Sequence, residues 1–290
     1  MLSDIKGDIE LLDAQYHKNI AVIPIKTPQN YSVDLLTLKK GYKLGLVKVA
    51  ECSESVVNTL IVKNKSTTPL ILIDGEEIIG GDQNRIVNES IVIDAHDGMK
   101  IPVNCTEKGR WGFKKDFEPS NYIANYRTRL AKASAIKNNQ DVQHNVWASI
   151  DELENARENY SQTQAMAESY ENANYDLAKI ISDFKIIDGQ TGIMIFVDGA
   201  IKGFEMFLNS EIYADYHEKI LKSYLIDINI NDDDFNIDDA DKIALDILES
   251  EYIKKESVGL EDKYELKRDD GVGTFYIFRD ELVHISYLKV

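Results

Sequence analysis

Short apolar runs, separated by Pro, Asn, Gly or Ser, fill the first part of the chain. Runs of this length and spacing are typical of β-strands. They occupy residues 20–25, 43–49, 56–64, 69–74, 85–95 and 99–107. Between the last two stands Asp97-Gly98, a dipeptide that favours a hairpin turn. The pattern predicts a β-rich region over about 20–107, folded as a meander or a sandwich.

From about residue 125 to 184 the pattern changes, because apolar positions recur at helical spacing and Gly and Pro are scarce. Beyond it, 192–207 reads as a hairpin with Asp198-Gly199 at its turn. Helices are expected over 210–228, with Ser210 as N-cap, and over 238–253. The end of the chain alternates like two or three strands.

These elements predict an α+β fold in a single domain spanning residues 1–290. Three sub-regions are expected within it. Residues 1–112 are β-rich, 113–185 are helical, and 186–290 mix α and β.

Composition supports a folded protein, since 43% of the 290 residues are hydrophobic. No apolar run approaches the ~18 residues of a membrane helix, and the N-terminus lacks the pattern of a secretion signal. Two cysteines, Cys52 and Cys105, are too few for a disulfide framework. A cytoplasmic protein with reduced thiols and no membrane association is therefore expected.

The net charge of −17 disfavours general nucleic-acid binding, because phosphates would be repelled over most of the surface. Residues 100–137 depart from this balance, with nine Lys or Arg against three acids. A basic island in an acidic protein suits a small anionic ligand better than a polymer. Lys132 and Lys137 are expected on a solvated helix face.

The segment 73–87, IDGEEIIGGDQNRIV, concentrates polar groups between two apolar runs. The pair Gly80-Gly81 is not part of G-x-G-x-x-G or of a P-loop, and a strand rather than a helix is expected after it, so a tight turn explains the glycines. The turn does not explain the polar residues around it, which are Glu76, Glu77, Gln83, Asn84 and Arg85.

Those polar residues have a ligand-binding interpretation and a structural one. Gln83 and Asn84 suit sugar hydroxyls or a base edge, and Arg85 suits a phosphate. Glu76 and Glu77 suit a ribose diol or the activation of a water molecule. The alternative is an internal network in which Arg85 pairs with Glu76 and fixes the loop.

A second polar segment, PVNCTEKGRWGF at 102–113, has a similar character. Arg110 beside Trp111 can hold an anionic nucleotide, one by charge and the other by stacking. Glu107 is a candidate general base with Glu76. Cys105 is interpreted as a small buried side chain.

No metal site is predicted. The five histidines are isolated, and the acidic run 231–242 lacks the glycine and the final glutamate of a calcium loop. The one exception is Mg²⁺ carried by a diphosphate ligand, which Glu76, Glu77 and Glu107 together could hold.

The two polar segments together resemble the signature of a known domain family. Its "GEE", "GGxQNR" and "IPVxCxExGRW" patterns match Gly75–Glu77, Gly80–Arg85 and Ile101–Trp111, and a later "AMA" matches Ala165–Ala167. The family is named for its association with ADP-ribosylglycohydrolases and rhodanese-like phosphatases. The resemblance implies a link to NAD and ADP-ribose metabolism. Asp82 stands where the family commonly has a basic residue.

Two hypotheses follow. In the first, the chain recognises or processes an ADP-ribose-like or other NAD-derived nucleotide. Catalysis would be glycosidic or phosphoester hydrolysis, with Glu76 or Glu107 as general base. In the second, it is a non-catalytic sensor, ligand sponge or oligomeric scaffold, and the polar segments are a structural network. The first requires Arg85 and Arg110 to face one solvent-open hollow.

Overall fold

A computed structural model describes residues 9–28, 31–52, 57–158 and 160–290. Residue 56, the first of the predicted run 56–64, lies outside these ranges. The strands are β1 (Glu10–Leu11), β2 (Gln15–His17), β3 (Ile20–Lys26), β4 (Leu36–Thr37), β5 (Val47–Glu51), β6 (Thr59–Asn64), β7 (Leu70–Leu72), β8 (Glu76–Ile79), β9 (Arg85–Val87), β10 (Ile91–Ile93), β11 (Gly98–Cys105), β12 (Glu118–Ile123), β13 (Gln190–Val197), β14 (Ala200–Phe207), β15 (Tyr252–Lys255), β16 (Asp262–Leu266), β17 (Gly271–Phe278) and β18 (Glu281–Lys289). The helices are α1 (Leu38–Lys43), α2 (Tyr126–Lys137), α3 (Val142–Ala156), α4 (Met166–Ile181), α5 (Ser210–Leu225) and α6 (Ala240–Leu248).

The strands of the first part that follow β3 form two sheets. One has six strands in the order β12-β8-β9-β11-β6-β5, and the other has three in the order β10-β7-β4. Their apolar side chains share one core cluster, to which Val62 and Val103 contribute from the larger sheet and Leu72 and Ile93 from the smaller. The predicted run 85–95 is therefore divided, since β9 belongs to the larger sheet and β10 to the smaller.

A nine-stranded antiparallel sheet joins the beginning of the chain to its second part. The strand order is β1-β3-β13-β14-β18-β17-β16-β15, with β2 also pairing with β3. Ile20 and Val22 of β3 pack in the core under α5, whereas Ala21 and Ile23 pack in the core under α6. Because both faces of β3 are covered, its sequence is continuously apolar instead of alternating.

The α+β class is confirmed, with strands concentrated in the first part and α2, α3 and α4 in the middle. One core cluster contains Ile71, Ile150, Tyr224 and Val283, so all three predicted sub-regions contribute to it. None of the helices in the described ranges is both long enough and apolar enough to cross a membrane.

The hairpin at Asp198-Gly199 is confirmed, and both residues have positive φ, at 51° and 84°. The predicted hairpin at Asp97-Gly98 is wrong. The strand before it, β10, pairs with β7, and the strand after it, β11, pairs with β6 and β9. The chain does turn there, but burial against other strands decides which strands pair.

Two helix boundaries also differ from the prediction. Asn209, and not Ser210, caps α5, because its Oδ1 accepts from the amide of Ile212 at 2.8 Å. The helix expected over 238–253 is only α6, Ala240–Leu248, and β15 follows it as an exposed edge strand.

Candidate functional site

The two polar segments meet in the six-stranded sheet. Strands β8 and β9 are joined by the turn at residues 80–84, and β11 lies beside β9 with Cys105 opposite Arg85. The amide of Thr106 donates to the carbonyl of Asn84 at 3.0 Å. The two polar segments of the family signature therefore form one continuous structure, although the residues in contact are separated in the chain.

Both residues of the pair Gly80-Gly81 must be glycine, because other parts of the chain pack closely against the turn. Gly80 and Gly81 have φ of +121° and +52°, which favour glycine. A Cβ on Gly80 would lie 2.6 Å from the carbonyl oxygen of Asp116, and one on Gly81 would lie 2.1 Å from the ring of Phe117. Residues 115–117 thus pack directly against the turn and leave no room for a side chain at either glycine.

Arg110 lies against this turn and makes five hydrogen bonds to its own chain. Its acceptors are the carbonyl oxygens of Gly81 (2.7 Å), Gly112 (2.9 Å) and Gly80 (3.2 Å), Asn84 Oδ1 (3.2 Å) and Glu107 Oε2 (2.6 Å). Glu107 also accepts from the hydroxyl of Thr163 at 2.9 Å and from the amide of Asn84 at 3.3 Å. Burial alone would raise the pKa of Glu107, but Arg110 and Thr163 outweigh it and lower that pKa.

Arg85 is also turned inward, with 2% of its surface exposed. Its Nη1 lies 3.3 Å from Gln83 Oε1 and from the carbonyl of Asn84. Its Nη2 is 3.8 Å from Glu51 Oε1, and its Nε has no hydrogen-bond partner among the described residues. Gln83 in turn donates to the carbonyl of Glu107 at 2.9 Å. Arg85 and Arg110 share a neighbourhood, but they do not face a common open hollow.

Glu76 is buried and is paired with α5. Its carboxylate accepts from Lys219 at 2.9 Å and from the hydroxyl of Tyr216 at 3.0 Å. The pairing expected between Arg85 and Glu76 is therefore replaced by two other pairs, Glu76 with Lys219 and Arg85 with Glu51.

Glu77, the next residue along β8, points to the opposite face. One of its oxygens accepts from the hydroxyl of Thr106 at 3.0 Å, and the other, Oε2, has no partner within the described ranges. Burial raises the pKa of Glu77 to about 7, and hydrogen bonds from Ser120 and Thr106 offset only part of the effect. Glu107 is close enough for its charge to raise this pKa further.

A common metal site for the three glutamates is not supported by this arrangement, because Glu76 and Glu77 lie on opposite faces of β8. In the part of the chain that the structure describes, no group of three or more His, Cys, Asp or Glu residues could hold a metal ion.

Trp111 differs from the rest of the signature because 65% of it is exposed, and Phe113, two residues on, is 70% exposed. Cys105 is confirmed as buried, and burial raises the pKa of its thiol. Lys132 was expected in solvent, but it is buried and donates to Asp74 and, at 2.6 Å, to the carbonyl of Asn88. The prediction for Lys132 is wrong because α2 packs that side against the sheets, whereas Lys137 is exposed as expected.

Several residues of the network carry no signal in the sequence. Lys219, Glu51 and Thr163 complete the pairs of Glu76, Arg85 and Glu107 from distant segments. A second buried network joins Glu205 to Arg129, Tyr224, Ser286 and His284, and His284 to Ser90. Neither group is predicted by the local pattern, and Lys219, Glu51 and Thr163 lie outside the matched motifs of the family.

Comparison with known protein families supports the resemblance. The family model described as the ARG and Rhodanese-Phosphatase-superfamily-associated Protein domain matches residues 8–288. No curated protein shows a significant similarity to the chain. No solved structure shows a significant similarity to it either. The chain belongs to this domain family.

Proposed function

We propose that this member of the family is a non-catalytic sensor or scaffold, in which the signature motif is a structural network. The observation that carries the proposal is the environment of Arg110. The guanidinium that would neutralise a phosphate already has five acceptors within its own chain, including the carboxylate of Glu107.

The charges of the motif support the same proposal. Arg110 is balanced by Glu107, and Glu76 by Lys219. A diphosphate bound by Arg110 would have to displace Glu107 and leave a buried carboxylate without its partner. Breaking a buried ion pair in this way costs about 3–5 kcal/mol, which a ligand would have to exceed before it gained any affinity.

Arg110→Ala tests the proposal directly. We expect the variant to melt roughly 5–15 °C below the wild type, because the loss leaves Glu107 buried and unpaired. We also expect calorimetry to show that Arg110→Ala binds ADP-ribose no more weakly than the wild type does. Arg127→Ala, at an exposed arginine of α2, is the matched control and should melt like the wild type. If Arg110→Ala keeps the wild-type melting temperature but loses ADP-ribose binding that the wild type has, the motif is a ligand site.

A second candidate function is an acid–base enzyme acting on an NAD-derived nucleotide, and Glu77 is the observation that favours it. This carboxyl has a free oxygen and a pKa of about 7, while that of neighbouring Glu107 is lowered. Carboxyls whose pKa values are shifted in opposite directions often serve as a general acid and an ionised partner. Glu76, paired with Lys219, suits proton transfer less well than Glu77 does.

Turnover measurements decide this second candidate. Release of nicotinamide or ribose from NAD and ADP-ribose would be followed between pH 5 and 8. An enzyme of this kind should lose about 10²–10⁴-fold in rate in Glu77→Gln. Glu171→Gln, at an exposed acid of α4, should keep its rate. Absence of wild-type turnover over the whole pH range would contradict the candidate.

A further inference from the structure

The segment Lys108–Lys115, called the Trp111 loop here, is held to the body of the protein at alternate residues. The Arg110 side chain binds the turn at Gly80-Gly81, the amide of Gly112 donates to Asp82 (3.2 Å), and the amide of Lys114 donates to Gly81 (3.1 Å). The loop therefore has a fixed path, although it contains no regular secondary structure.

Trp111 and Phe113 lie between these attachment points, and both are largely exposed. Residues two apart in an extended segment tend to project to the same side. Large aromatic rings that the fold leaves in solvent on a fixed backbone are ready to stack, since no loop has to be ordered at the moment of binding.

Three lysines belong to the same loop as the two rings. Lys114 is exposed, and its ammonium has no partner within the described part of the chain. Lys108 pairs with Asp151 at 3.2 Å and Lys115 pairs with Glu118, but both pairs are exposed. Exposed pairs contribute only ~0–1 kcal/mol, so an incoming phosphate can replace them at little cost.

We propose that the Trp111 loop binds a dinucleotide, in which two flat heterocyclic rings joined by phosphates stack on Trp111 and Phe113 while the lysines neutralise the phosphates. A ligand with two rings can stack on both Trp111 and Phe113, whereas a ligand with one ring can stack on only one of them. Each base–aromatic stack contributes about 1–3 kcal/mol to the binding free energy. The net charge of −17 favours a short ligand over a polymer, whose phosphates would extend over the acidic surface. The inference rests on the proposed sensor function and gives that function its ligand class.

Fluorescence provides the first test, because the chain has only two tryptophans and the other, Trp147, can be replaced. In a Trp147→Phe background we expect NAD to quench Trp111. ADP, which carries a diphosphate but one ring, should bind about tenfold more weakly than NAD. Absence of quenching by millimolar NAD would overturn the inference. Tighter binding of a single-stranded oligonucleotide, or quenching by anionic vesicles without quenching by NAD, would do so too.

Calorimetry of variants then localises the site. Trp111→Ala and Phe113→Ala should each weaken NAD binding at least about fivefold. Lys114→Glu should weaken it several-fold at low salt and less at high salt. Tyr175→Ala and Lys179→Glu, at an exposed tyrosine and an exposed lysine of α4, are matched controls and should bind NAD like the wild type.

The failure of this inference can be separated from the failure of the proposed function. If Trp111→Ala binds NAD like the wild type, and Arg110→Ala still melts below the wild type, only the loop site is wrong. If Arg110→Ala folds with the wild-type melting temperature and loses NAD, whereas Trp111→Ala does not, the buried motif holds the ligand and both proposals are wrong.

Discussion

We predict that Glu77→Gln makes the protein more stable than the wild type above pH 7, and that this difference shrinks to about 1 kcal/mol or less at pH 5. The substitution keeps the shape of the side chain and removes its ability to ionise. In the folded wild type, burial holds the pKa of Glu77 at about 7, against an ordinary value of 4.5. Ionised Glu77 therefore opposes folding, whereas a glutamine amide carries no charge at any of these pH values.

The magnitude follows from the difference in pKa. Between pH 4.5 and 7 the folded chain retains a proton on Glu77 that the unfolded chain has lost, so stability falls as the pH rises. At about 1.4 kcal/mol per pH unit, the rise from 4.5 to about 7 corresponds to about 3–4 kcal/mol. That is a large share of the roughly 5–15 kcal/mol by which domains are stable.

Urea unfolding at pH 5, 6, 7 and 8 would measure the effect as the difference between variant and wild type. Other titrating groups are common to both proteins, so they cancel in this difference. Glu171→Gln, an exposed acid whose charge reaches Glu77, should show a much smaller difference. A stability difference between Glu77→Gln and the wild type that stays constant from pH 5 to pH 8 would refute the reasoning.

Three further predictions concern the surrounding fold. Lys219→Met should cost about 3–5 kcal/mol in urea unfolding because it leaves Glu76 buried without its cation, and the double variant with Glu76→Gln should recover most of the loss. Gly81→Ala should destabilise the protein more than Gly45→Ala does. Both have positive φ, a cost of about 1–2 kcal/mol for alanine, but only at Gly81 would the new methyl group collide with a neighbouring side chain. Asn209→Ala should lower stability by about 0.5–2 kcal/mol through loss of the α5 cap, and Asn209→Ser should restore most of it.

The sequence predicts the elements of this fold better than their pairing. Strand and helix patterns are local, and the β13–β14 hairpin is local too, because only two residues separate its strands. Asp97-Gly98 has the same turn chemistry, yet the strands on either side of it belong to different sheets. Pairing there depends on which apolar faces can be buried together, and this information is spread over the whole chain.

The site shows the same division. The spacing of the motif brings Arg85 and Arg110 to one region, but it does not determine the direction of their guanidinium groups. The guanidinium of Arg110 donates to backbone carbonyls of a turn about 30 residues earlier in the chain. The carboxylate of Glu76 accepts from Lys219, which lies 143 residues later on a helix. Every residue has a backbone carbonyl, so the sequence does not show which carbonyls accept hydrogen bonds from an arginine. The same motif can therefore form a ligand site or an internal hydrogen-bond network.

The position of β18 between β14 and β17 has a consequence for how the protein is made. Strand β14 lacks a neighbour on one side until residues 281–289 have been synthesised. Strand β3 can pair with β13 only after about 170 further residues have been synthesised. A ribosome releases the chain in order, so the large sheet cannot close before β18 has been synthesised. Until then the outer edge of the apolar strand β14 stays unpaired, which makes the nascent chain a natural client for chaperones.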